Sequence, residues 1–465
     1  MAGPEPPARP LMRLGMLWSA EAAQKVLSFL LFVALSRGLT VAENGLYGLY
    51  LSLFPLFAVA MNWGVSDILT RETACAPERS RRLLAAGLLG QAAVALPVLL
   101  AAAGAWMFLR GDRTAAALVT ALAVLPLAWG RSSLGVFTGH EHFGAAALGQ
   151  VLLRALAVGA TLAMLWAGAG VPALVGVLGP VHLLWAGGMT FCAWRRFGGE
   201  ERAPSAADTR WLLREGAPVM AGGFAATAYF AVDLLVLGLF LNGDALGRYA
   251  LGMRFLFMLM PLTEAVGGVV FPGLSRAARE GAAASARALE DAWRLAVEVG
   301  LPLATGALLL AEPLTVFLGG DQYAGTGFTL SGLTVAAALF LPALVGQAQL
   351  RARGMQTLAA VLFAGAALLK TAGAFLLSPA FGGNGLVWLN ITLGAALAAV
   401  LFAASARGLG VSARRMALGI LPALGATTVM AAVVLVLRGY PVLVPIGAGA
   451  LVYGTAVLPS HRRRD

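Results

Sequence analysis

Four basic residues lie inside long apolar runs of this chain: Lys25, Arg154, Arg254 and Lys370. A charge at that position is costly in lipid, so such a residue faces a protein interior or an aqueous chamber. As a set they suit a phosphate-bearing anion. Arg offers a planar fork that clasps two oxygens, and Lys supplies a compact point charge. At about 1.5 Å per residue, Lys25 sits roughly 18 Å and Arg154 about 16 Å from the ends of their runs. Both depths are near the middle of a hydrocarbon layer about 30 Å thick. Four other groups at membrane depth, Asp233, Glu21, Glu264 and His182, are candidates for a gate or for ion coupling, because burial favours the protonated carboxyl and histidine titrates near neutrality. The competing reading is structural: Glu21 pairs with Lys25 one turn on, Asp233 pairs with Arg254 across a turn, and His182 bonds a backbone carbonyl. No catalytic constellation, metal-ligand cluster or cofactor motif is present in the spacing of the remaining residues.

The elements that must hold these residues are helices in a bilayer. Hydrophobic residues make up 59% of the 465 and charged residues 12%, against about 25% charged in soluble domains. The fold class expected is therefore an all-α integral membrane protein. The formal net charge of +11 does not indicate nucleic acid, since the arginines cluster in short loops, where they set topology and meet anionic lipid headgroups. Cys75 and Cys192 imply neither a disulfide framework nor a metal site. The opening MAGPEPPARP reads as a polar lead into a retained span.

Hydropathy predicts fourteen spans, near 14–36, 45–66, 83–109, 114–136, 143–167, 170–194, 213–240, 246–273, 293–318, 326–350, 355–377, 383–405, 415–437 and 440–459. Of the 33 Lys and Arg residues, 24 fall on the side holding both termini, five on the other side and four within spans. Positive charge stays inside, so both termini are expected in the cytoplasm. The expected organisation is a lead (1–13), an N-lobe of spans one to six (14–194), a basic linker (195–212), a C-lobe of spans seven to twelve (213–405), two extra spans (406–459) and a basic tail (460–465).

Two turns echo one another. After span one the chain reads Glu43-Asn44-Gly45-Leu46-Tyr47-Gly48, and after span seven Ala245-Leu246-Gly247-Arg248-Tyr249-Ala250. Gly45 matches Gly247 and Tyr47 matches Tyr249. A parallel repeat of this kind implies two six-helix lobes related by an axis along the membrane normal. The run SRGLTVAENGLYGLYLSLFPLFAVAMNWGVSDILTRETA, with Arg37, Gly45 to Gly48, Asn62 to Gly64 and Arg71, resembles the opening of the polysaccharide-biosynthesis exporters and lipid-linked oligosaccharide flippases. These belong to the superfamily that also holds multidrug extruders. Asp233 and Gly247-Arg248-Tyr249 extend the resemblance into the second half.

The resemblance implies an exporter of the bacterial inner membrane, not an enzyme. It would move an undecaprenyl-pyrophosphate-linked oligosaccharide by alternating access, with membrane lipids and polysaccharide polymerases or glycosyltransferases as partners. On that reading Lys25, Arg254, Arg154 and Lys370 bind the anion. One alternative is a multidrug/cation antiporter of the same superfamily, which needs an acidic cavity. Another is a membrane-embedded glycosyltransferase, polymerase or ligase, for which the outer loops are too short.

Overall fold

The computed structural model describes residues 10–110, 114–198, 203–241 and 243–462. Among them every regular element is helical. The helices are α1 (Pro10–Gly38), α2 (Val41–Asn62), α3 (Val65–Cys75), α4 (Ser80–Arg110), α5 (Thr114–Gly139), α6 (Phe143–Trp166), α7 (Val171–Gly176), α8 (Leu178–Arg196), α9 (Ala206–Phe240), α10 (Asp244–Glu280), α11 (Ala282–Gly319), α12 (Gly327–Ala352), α13 (Gln356–Ala406), α14 (Ala413–Val436) and α15 (Leu443–Arg462). In lipid a backbone must satisfy its own hydrogen bonds, and an unbroken helix does so.

Among the described residues, twelve stretches are long and apolar enough to cross a bilayer. One of them, α13, is two spans joined at Gly382, whose φ of 54° and ψ of −140° break the helix. A residue with a Cβ adopts that backbone only under strain. The apolar helix Leu443–Val457 completes the fourteen crossings expected from hydropathy. The protein is a multi-pass integral membrane protein.

Contacts divide the chain into two units. The first holds the helix ending at Gly38 together with Leu46–Ala231, and the second holds Leu39–Gly45 and the residues from Val232 onward. In the first unit α5 is the central helix, packed on α3, α4, α6, α7 and α8. In the second unit α12 has that place, packed on α10, α11 and α13. Their apolar windows are 67% and 72% buried, more than any other span. They are the fourth and tenth crossings, equivalent positions in a six-helix repeat, so each unit is built around the same member of the series.

Small residues let the central helix be enclosed. A Cβ at Gly130 would lie 2.0 Å from the Trp185 ring, and one at Gly135 would lie 2.6 Å from the Ser66 carbonyl oxygen. Helices approach this closely in membranes where glycine removes the side chain, gaining dispersion contact that water exclusion does not supply. Trp185 is fixed over Gly130 by its indole N–H, which donates to the Gly149 carbonyl at 2.7 Å.

Candidate functional site

The first unit encloses a chamber of about 610 Å³. Helical periodicity explains its walls. From α5 come Leu127, Arg131, Leu134, Gly135 and Thr138; from α6 Gln150, Leu153, Arg154 and Ala157; from α8 Leu178, His182 and Trp185. Spacings of three, four and seven place each set on one helix face. Gln24 of α1, Phe54 and Pro55 of α2, and Ser66, Asp67 and Thr70 of α3 close the remaining sides.

Two guanidiniums dominate the chamber. Arg131 and Arg154 both keep solvent contact although each is within a membrane helix, as a charge facing water-filled space does. Counting at about 1.5 Å per residue, Arg131 is roughly 12 Å from the end of α5 and Arg154 roughly 16 Å from the start of α6. Arg131 is within electrostatic range of both Arg154 and Asp67. His182 interacts with both arginines, while its Nδ1 is 2.7 Å from the Ala123 carbonyl oxygen and its ring is 5.4 Å from that of Phe54. Two cations, one carboxylate, two amides and an imidazole form a net positive, water-accessible pocket with apolar walls. That combination suits an anionic group carried on an apolar body.

Arg154, expected among the anion ligands, and His182, expected as a gate or coupling group, both line this chamber, and His182 also makes the backbone-carbonyl bond of the structural reading. Sequence reasoning did not select Arg131 or Asp67. Arg131 lies near the end of its span and was counted among the loop charges that set topology; the structure puts it on the chamber face of α5. The available signal was the stripe Arg131, Gly135, Thr138, which sets polar and small residues on one face of an apolar helix.

The other predicted residues are elsewhere. Lys25 Nζ is 3.4 Å from Glu21 Oε1, and both side chains are about half exposed, so the i, i+4 pairing is realised. Arg254 donates through Nη2 to the Asn44 carbonyl at 3.3 Å, holding the first turn of α2, the helix in which the structure places the residues expected to form a connecting turn. The same stretch is held by Gln322, which donates to the Leu39 carbonyl at 3.2 Å, and by the bond from the Asn44 amide to the Tyr323 hydroxyl. Glu264 belongs to α10, and its side chain lies outside the described residues.

The expected pairing of Asp233 with Arg254 is replaced by another. Asp233 on α9 meets Lys370 on α13, with Nζ 3.2 Å from Oδ2 and 1% and 0% of the two side chains exposed. Tyr249 donates its hydroxyl proton to the same oxygen at 3.0 Å, and Asn390 donates through Nδ2 at 2.8 Å. Three donors thus converge on one carboxylate oxygen. Lys370, expected among the anion ligands, is sealed inside this cluster. Arg254 was the nearer partner in sequence, but the Gly382 break folds the two halves of α13 so that Lys370 and Asn390 both face α9.

The family model described as "Polysaccharide biosynthesis protein" matches residues 14–278. No curated protein matches the chain. Among solved structures, the lipid II flippase MurJ in an inward closed conformation is similar at a TM-score of 0.75 and 15% identity, covering 96% of this chain and 99% of that one. An inward-facing multidrug resistance MATE family transporter of the MOP superfamily is similar at 0.65 and 15%, covering 85% and 94%. A MOP superfamily transporter from Pyrococcus furiosus reaches 0.51 at 15%, covering 85% and 93%. Identities this low establish a shared fold of helices. The match to the family model extends over more than half the sequence, and the chain belongs to the polysaccharide biosynthesis protein family.

Proposed function

We propose that the protein is a flippase that carries an undecaprenyl-pyrophosphate-linked oligosaccharide across the bacterial inner membrane. The observation that carries this reading is the pair Arg131 and Arg154, two solvent-contacting guanidiniums at membrane depth in one chamber. A pyrophosphate leaving water loses strong hydration and needs charge-assisted donors in its place. Two Arg forks supply them, Gln24 and Gln150 add neutral donors, and the apolar walls accept the start of the prenyl chain. Family membership and the fold shared with a lipid II flippase support the same cargo class. The orientation in this reading places both termini in the cytoplasm.

The multidrug antiporter is the second reading, favoured by the MATE fold relatives. It wants a chamber that attracts cations. Two guanidiniums against the single carboxylate of Asp67 give the opposite field, so the anionic cargo fits better.

The test is transport in proteoliposomes, using a fluorescent undecaprenyl-pyrophosphate glycan and a membrane-impermeant quencher to report its leaflet. A hydrogen bond to a charged group contributes about 1.5–3 kcal/mol. Arg131→Glu and Arg154→Glu are therefore each expected to slow transport by roughly tenfold or more, with the unfolding temperature held near wild type. Undiminished transport by the double variant would remove the chamber from the proposed role.

A further inference from the structure

Outside the chamber, the first unit carries a second cavity, a groove of about 930 Å³ between the start of α6 and the end of α8. Its mouth is formed by His140, His142, Arg195 and Arg196. Below the mouth the walls are apolar, with Leu148 and Leu152 of α6 facing Met189 and Phe191 of α8. The charged end and the apolar body are spatially separated, which is the layout of a receptor for an amphiphile.

The dimensions indicate which amphiphile. From Phe143 at the start of α6 to Leu152 the helix rises about 13 Å. One leaflet of hydrocarbon is about half of 30 Å, so the groove reaches from the headgroup level to near the midplane and no further. It is open sideways to the bilayer, since Leu148 is 59% and Phe191 58% exposed. Trp194, 44% exposed, sits at the same level, the position an interfacial aromatic takes. Among the described lining residues there is no carboxylate, hydroxyl or amide side chain. A phosphate is welcome at the mouth, whereas a glycan has nothing to bond.

The mouth is also built rather than incidental. Arg195 is stacked over the Phe191 ring at 4.8 Å, which holds its guanidinium at the headgroup level. His140 stacks on Phe197 with ring centres 4.0 Å apart and planes 10° from parallel, and its Nε2 is 2.8 Å from the Ser80 hydroxyl. Arg81 donates through Nε to the Trp194 and Phe197 carbonyls at 2.9 Å, fixing the end of α8 that bears Arg195 and Arg196. α6 presents different faces to the two cavities, with Gln150, Leu153 and Arg154 lining the chamber and Leu148 and Leu152 lining the groove.

We propose that this groove is a binding site for an anionic phospholipid of the leaflet at the Arg-rich end of the helices, its phosphate held by Arg195 and Arg196 and one acyl chain lying between α6 and α8. The site is separate from the cargo chamber and does not depend on what the protein carries. A lipid seated there ties the α5–α6 connection to the end of α8.

The experiment is native mass spectrometry of the full-length protein in detergent, titrated with phosphatidylglycerol, phosphatidylcholine or undecaprenyl pyrophosphate. Wild type is expected to retain one phosphatidylglycerol in preference to phosphatidylcholine. Each surface cation contributes about fivefold to anionic headgroup affinity. Arg195→Gln with Arg196→Gln is thus expected to weaken that adduct roughly 30-fold. Leu148→Trp, which fills the groove and leaves both arginines in place, is expected to lose the same adduct with the unfolding temperature unchanged. Equal retention of the two phospholipids, or an adduct that survives both variants, would overturn the site. So would an arginine-dependent adduct formed by undecaprenyl pyrophosphate and not by phosphatidylglycerol, since the groove would then belong to the cargo.

Discussion

The ammonium of Lys370 lies 3.2 Å from the carboxylate of Asp233, and neither side chain reaches solvent. Desolvating two charges opposes folding, and their attraction offsets this only when both are present and well bonded. Removing one partner leaves a lone buried charge, at a cost of about 3–5 kcal/mol. Lys370→Met is therefore expected to lower stability by that amount. Lys370→Met combined with Asp233→Asn restores most of it. Thermal unfolding in detergent separates the two outcomes, and a double variant no more stable than the single would contradict the pairing.

Gly247 bears the closest approach in the second unit. A Cβ there would lie 1.8 Å from the Val41 carbonyl oxygen, and a Cβ at Gly45 would lie 2.6 Å from the Gly247 nitrogen. The two echo glycines thus press backbone on backbone. Gly247→Ala must displace the turn, and overpacking of this kind costs about 1–3 kcal/mol. Gly267, on the same helix with no atom within 4 Å of its would-be Cβ, is the control. There Gly267→Ala is expected to be neutral or stabilising by up to about 1 kcal/mol through helix propensity. Equal effects at the two positions would mean that the contact is not used.

Asp67 would oppose an anion bound as proposed by Arg131 and Arg154, because it lies within electrostatic range of Arg131. Neutralising it frees positive charge for the cargo. A solvated ion pair is worth about 0.2–1 kcal/mol, so Asp67→Asn is expected to tighten binding of undecaprenyl pyrophosphate up to about fivefold. Titration calorimetry reads the change directly; weaker binding would show that Asp67 positions Arg131 and does not compete with the ligand.

His140, in the connection between α5 and α6, is held below the ordinary imidazole value of 6.5, chiefly by burial and further by the neighbouring His142. Above pH 6.5 the ring is neutral whether the protein is folded or unfolded, and the stacked, bonded arrangement contributes fully. As pH falls through 6.5 the unfolded ring takes a proton that the folded ring resists, and stability is lost. Lipid-free protein is thus expected to melt at lower temperature at pH 5.5 than at pH 7.5, and His140→Gln to flatten that slope. An unchanged slope would assign the pH effect to other groups.

The membrane architecture was legible because the hydrocarbon layer acts on composition. Any run of about 20 apolar residues reports a crossing, and all fourteen appear in the structure. Arg154 was legible for the same reason, as a charge in mid-span. Arg131 was not, since an arginine near a helix end has the same appearance whether it snorkels to the headgroups or turns inward. Partner choice was least legible. Asp233 has Arg254 nearby in sequence, yet Lys370 and Asn390 reach it through a fold that local spacing does not record. The Gly-x-Tyr echo carried more than its length suggests: a Cβ at Gly45 would meet the backbone of Gly247, and one at Gly247 would meet the Val41 carbonyl, so both positions favour glycine in the same close approach of α2 and α10.

The break at Gly382 leaves two crossings joined by almost no loop, and both arms reach a single oxygen of α9, one through Lys370 and the other through Asn390. The hairpin therefore works as a clasp. Spreading its arms would require Asp233 to be unfastened inside the second unit, so the hairpin and the stretch of α9 from Val232 onward are expected to stay together.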